Sequence, residues 1–141
     1  METNIINIIL NETFAKVVSD DDRLVFVRED GSYVAFYHRQ VCCENVYIES
    51  IVGDLSDLVG SPILMAEEVI SDSEYDESGD PCTWTFYKFA TIKGYVDVRW
   101  LGTSNGYYSE SVDMYESLND PTYSITTYHK TKIEALIANN S

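Results

Sequence analysis

Alternation of apolar and polar side chains is strongest in the second half of the chain. From Thr83 to Ile92, Trp84, Phe86, Lys88, Ala90 and Ile92 alternate with Thr83, Thr85, Tyr87, Phe89 and Thr91, and a period of two predicts a strand. Lys93-Gly94 is a natural two-residue connection. Tyr95 to Leu101 then sets Val96, Val98 and Trp100 opposite Asp97 and Arg99. Ser104-Asn105-Gly106 predicts a tight turn, because Asn and Gly tolerate positive φ. Tyr107 to Tyr115 follows as a third strand, so the pattern predicts a three-stranded meander. Asp97, Arg99 and Glu110 are placed to pair across its strands.

The first half is also β-rich. Phe14, Val17 and Val18 precede an acidic turn at Asp20-Asp21-Asp22, and Leu24 to Val27 follow. Glu29-Asp30-Gly31-Ser32 has the Asp-Gly centre of a hairpin turn. Tyr33 to His38 is the return strand, with Tyr33, Ala35 and Tyr37 on one side and Val34, Phe36 and His38 on the other. Met1 to Leu10 fits a short helix or a strand, since periodicity cannot decide over so few residues. After Val46-Tyr47-Ile48, Asp54 and Gly60 bracket a short helical turn, one as its cap and one as its stop. Pro62 to Ile70 is read as extended, and Ser71 to Pro81 as an acidic mobile loop.

The tail changes character. Asn119-Asp120-Pro121 breaks the pattern, Tyr123 to Thr127 is read as a last short strand, and Thr131 to Ala138 as a helix with Ile133, Leu136 and Ile137 on one face. The expected fold class is α+β, a mainly antiparallel sheet with short helices and a C-terminal helix. At 141 residues it is one domain, with 119–141 a helical C-terminal extension.

Charge narrows the function. Net charge is −15, and between Gln40 and Tyr87 eleven carboxylates stand with no lysine or arginine. Such a chain repels nucleic acid and anionic membrane and attracts basic protein surfaces, so neither direct nucleic-acid binding nor membrane association is expected. No run approaches the roughly 18 apolar residues of a membrane span, and Met1 to Leu10 lacks the basic start of a signal peptide. An odd cysteine count with a vicinal pair argues against a disulfide framework. The protein is therefore expected in the cytoplasm, without cofactor.

Three groups of residues carry candidate chemistry. His38, Cys42 and Cys43, with Glu44 beside them, offer imidazole and thiolate donors of the kind that hold zinc or iron, although the second pair of a structural zinc site is missing. Adjacent cysteines are expected to point to different sides, with one buried as a small hydrophobe. A Cys–His nucleophile would have His38 or His129 as its base, but no local motif supports it. Asp72-x-Glu74-x-Asp76 spaces oxygen ligands as a calcium loop does, yet Glu77 and Thr83 stand where an EF-hand needs Gly and Glu.

Two blocks resemble a known family. The first runs Cys42-Cys43-Glu44-Asn45-Val46-Tyr47-Ile48-Glu49-Ser50-Ile51-Val52-Gly53-Asp54-Leu55 and on through Gly60-Ser61-Pro62-Ile63-Leu64-Met65-Ala66-Glu67-Glu68. The second runs from Trp84 through Tyr95, with Arg99-Trp100 and Ser104 to Val112. Over residues 13 to 115 they resemble small domains of unknown function encoded mainly by tailed bacteriophages and prophages. In that resemblance His38 corresponds to the family's histidine near the vicinal cysteines, while Arg39 and Val41 replace acidic residues. It implies a phage setting and the host cytoplasm, without naming a reaction.

Charge and resemblance together lead to a non-enzymatic accessory protein that binds and inhibits a basic host protein. A nucleic-acid-binding enzyme or defence protein would be met by an anti-defence or DNA-mimic surface. Carboxylates at alternate strand positions lie about 6.6 Å apart, close to two base-pair rises. Glu67, Glu68, Asp72, Glu74, Asp76, Glu77 and Asp80 are the expected partner contacts. The alternative is a small-ligand or metal-binding domain built on His38, Cys42 and Cys43. A virion component and a homo-oligomer paired through sheet edges are further expectations.

Overall fold

The computed structural model describes residues 5–75, 79, 81–104, 108–119 and 125–140, apart from the side chains of residues 5, 72–75 and 119. Among these residues, eight strands form two antiparallel sheets, and one α-helix follows them: an α+β fold. The first sheet orders β1 (Lys16–Ser19), β2 (Arg23–Val27), β3 (Tyr33–Tyr37) and β8 (Asp113–Glu116) side by side. The second orders β4 (Asn45–Val52), β7 (Gly94–Thr103), β6 (Pro81–Thr91) and β5 (Met65–Tyr75). Short 3-10 turns occupy Ile5–Ile9, Leu55–Leu58 and Ser117–Asn119, and α1 spans Thr127–Asn139.

The two inner faces share one core. Leu24, Phe26, Val34 and Phe36 of the first sheet meet Tyr87, Phe89, Val98 and Trp100 of the second. Edge-to-face rings knit the contact: Phe26 lies 5.1 Å from both Phe14 and Phe89, and Phe36 lies 5.0 Å from Tyr87. That geometry sets each ring's positive edge against its neighbour's negative face.

The first sheet is covered on its other face as well. Val25, Val27, Tyr33, Ala35 and Tyr37 pack with Tyr115 and with Ile133 and Leu136 of α1. All five residues of β2 and all five of β3 are consequently buried. Thr126 caps the helix by accepting from His129 N–H at 3.3 Å, and Ile133, Leu136 and Ile137 do share its inner face.

The strand expected to follow β7 in the meander lies in the other sheet. β6 and β7 pair from Cys82–Thr103 to Thr91–Gly94, but β8 leaves for the first sheet and pairs with β3. Thr83 Oγ1 donates to Glu110 at 2.7 Å, and Ser104 Oγ donates to the other oxygen of the same carboxylate. Gly102 makes the crossing feasible, because a Cβ there would collide with the Glu110 carbonyl. Arg99 pairs instead with Glu49 of β4, at 2.6 Å.

Other expectations shift at their boundaries. Of the expected loop 71–81, residues 71–75 belong to β5 and Pro81 starts β6, while 76–78 and 80 lie outside the described residues. The helix begins at Thr127, four residues before the expected start, so Thr127 is helical rather than part of a strand. The Asp30-Gly31 turn forms as read, with Gly31 at φ 89°.

The two-sided cover sets an order of sensitivities. Phe26→Ala should destabilise the protein by about 3–5 kcal/mol and Ile133→Ala by about 2–5 kcal/mol. Val52→Ala on the open face of the second sheet should change it by less than about 0.5 kcal/mol. Urea unfolding of the three variants checks the order.

Candidate functional site

The chain between β3 and β4 turns around one carboxylate. Glu44 is buried, with 3% of its surface exposed. It accepts from His38 Nε2 at 2.9 Å, Val41 N–H at 3.0 Å and Cys42 N–H at 2.8 Å. Gln40 Nε2 adds a bond to the Glu44 backbone carbonyl at 2.5 Å. Burial pushes this carboxyl up, but the bonds from His38 and from the Cys42 and Val41 N–H groups outweigh it and hold the group at about 2, since each favours the charged form.

His38 is fixed at both ends of its ring. Nδ1 lies 2.7 Å from the Ser111 carbonyl oxygen, while Nε2 faces Glu44. Both partners accept, so a ring protonated on both nitrogens satisfies them together, and either neutral tautomer satisfies only one.

The expected separation of the two thiols does not occur. Cys42 and Cys43 form a vicinal disulfide and are both exposed, and Cys82 is the buried cysteine. The Glu44 carboxylate, by holding two successive N–H groups, bends the backbone at this corner. Among the described residues, no group of three or more His, Cys, Asp and Glu side chains is arranged to hold a metal ion. Of the two histidines considered as a base, His38 is committed to Glu44 and Ser111, and His129 is buried on α1.

The acidic candidates separate. Glu67 and Glu68 are neighbours on β5, an edge strand, and therefore point to opposite sides. Glu67 is exposed, whereas Glu68 is half-buried and accepts from Tyr87 O–H at 2.6 Å. Burial, and then the Glu68 carboxylate, push the Tyr87 phenol well above its usual range. Asp72 and Glu74 lie on the β5 backbone, with side chains outside the described residues. Asp76, Glu77 and Asp80 also lie outside the described residues.

The outer face of the second sheet carries a concave surface of about 470 Å³. Register aligns Glu67, Lys88, Asp97 and Val52 in one row across it, and Val69, Phe86, Arg99 and Ser50 in the next. Val52, Val69 and Phe86 are 65%, 57% and 38% exposed. Arg99 also stacks over Trp84, 5.2 Å from the ring centroid. The alternation of β6 and β7 marked this face, but only the pairing with β4 and β5 brings its members together.

The chain is thus a two-sheet sandwich backed by one helix, with an open mixed face on its second sheet. The chain belongs to a family described as a domain of unknown function, DUF7448, which matches residues 7–114. No curated protein and no solved structure matches the chain. The match ends inside β8, so α1 lies beyond it.

Glu44 gives the acid sensitivity a defined sign. With its carboxyl lowered from 4.5 to about 2 on folding, its stabilisation is complete above 4.5 and is lost as pH falls through about 2. Near neutral pH, Glu44→Gln should be less stable than the parent by about 1–3 kcal/mol. The gap between the two should close on acidification, as followed by urea unfolding across that window.

Proposed function

We propose that this protein is a non-enzymatic accessory domain that binds a basic protein through the outer face of its second sheet. The observation that carries the reading is the row structure of that face. Exposed Val52, Val69 and Phe86 are interspersed there with Glu67, Lys88, Asp97 and Arg99, a mixture of apolar and polar groups of the kind protein interfaces use. The opposite sheet has no such face to offer, being covered by α1. The net charge of −15 favours a cationic partner and speeds encounter with it.

The phage resemblance supports a host protein as the target, bound in the host cytoplasm, with inhibition or anti-defence as the outcome. A nucleic-acid mimic is the narrower form. It rests on the run of carboxylates in the sequence from Glu67 to Asp80.

Affinity capture from cells at low and high salt tests the reading. A basic partner should be retained at low salt and released as ionic strength rises. Phe86→Asp should weaken capture by at least about tenfold, and Glu67→Lys should slow association. Recovery of neutral partners alone, unchanged by salt, would sink the proposal.

A further inference from the structure

The corner between β3 and β4 carries the chain's one adjacent pair of cysteines. Cys42 and Cys43 are joined to each other, both are exposed, and neither belongs to an apolar core. A bond between sequence neighbours closes the shortest loop that a disulfide can make. The entropic contribution of a disulfide grows with the number of residues it encloses, so this one adds little as a staple of the unfolded chain. Exposed disulfides are also the readily reduced ones. Cys82, by contrast, is buried on β6 and shielded from the same reagents.

What the bond does restrain is the local backbone. Cys42 N–H donates to Glu44 Oε1 at 2.8 Å, and the Cys42 carbonyl accepts from Gln40 Nε2 at 3.1 Å. Both backbone groups of one disulfide residue are therefore used in the network around Glu44. The ring closed by the two sulfurs contains the Cys42–Cys43 peptide, and it removes rotation about the bonds within it. Opening the ring gives that conformational freedom back. Glu44 passes the change on, because its Oε2 holds Val41 N–H and His38 Nε2, and His38 Nδ1 faces the Ser111 carbonyl. A contiguous set of hydrogen bonds thus runs from the disulfide to the segment that leads into β8.

We propose that Cys42–Cys43 is a reversible thiol–disulfide site whose state sets the order of the β3–β4 corner. A thiolate of a dithiol reductant attacks one sulfur and forms a mixed disulfide, and the other cysteine leaves as a thiolate that takes up a proton. The reductant's second thiolate then attacks the reductant's own sulfur in that mixed disulfide. The reductant departs as a disulfide and both cysteines are left as thiols, so two electrons and two protons have passed to the protein. A small disulfide oxidant such as glutathione disulfide runs the exchange in reverse. The site shares no residue with the Val52–Val69–Phe86 face, so each reading stands or falls without the other.

The test takes the full folded chain through dithiothreitol and then glutathione disulfide, with intact mass, maleimide labelling and NMR as readouts. The oxidised chain should be lighter than the reduced one by two hydrogens and should take up no maleimide while folded. The reduced chain should be labelled at Cys42 and Cys43, with Cys82 reacting only after unfolding. The Val41 amide and His38 ring signals should move between the two states and return on reoxidation. Cys43→Ser should abolish their response to dithiothreitol while keeping the folded amide spectrum. Should that variant unfold, mass and NMR of the parent chain decide the matter. A chain that stays a dithiol in glutathione disulfide, one that ends as a glutathione adduct, or Val41 and His38 signals identical in both states would overturn the proposal.

Discussion

Burial of the first sheet on both faces is the constraint from which the architecture follows. β2 and β3 are apolar at nearly every position, so neither face of either strand tolerates water. One face is closed by the aromatic core shared with the second sheet, and the other by Ile133 and Leu136 of α1. A helix of 13 residues is marginal in isolation. The apolar face it covers and the face it presents therefore stabilise each other.

That arrangement leaves the two sheets unequal. The first has no open face, while the second keeps one, where Lys88, Asp97 and Arg99 stand among Val52, Val69 and Phe86. Alternation in β6 and β7 puts Tyr87, Phe89, Val98 and Trp100 inward and leaves the intervening residues to contact whatever approaches.

Three arginines are held by the chain's own acids. Arg23 holds Asp20 and Asp22, Arg28 holds Glu12 and Glu116, and Arg99 holds Glu49. Those bonds tie turns and sheet edges together. Among the described residues, Glu44 is the one carboxylate carried deep into the fold, and it organises the corner that joins the sheets. The other carboxylates give the molecule the negative field that favours basic partners.

The sequence alone determined the strands around Leu24–Val27, Tyr33–His38, Thr83–Ile92 and Tyr95–Leu101, the hairpin turn at Asp30-Gly31 and the inner face of the C-terminal helix, because period and turn chemistry are local properties. Only the tertiary structure decided that β8 joins the first sheet, since that choice rests on Gly102 admitting the Glu110 backbone and on two hydroxyls gripping its side chain. It also decided that Glu68 meets Tyr87, that Cys42 and Cys43 join each other, and that Arg23 and His129 line one cavity. Local pattern cannot report such contacts, because they form between residues far apart in the chain or through a backbone bend set by a buried group.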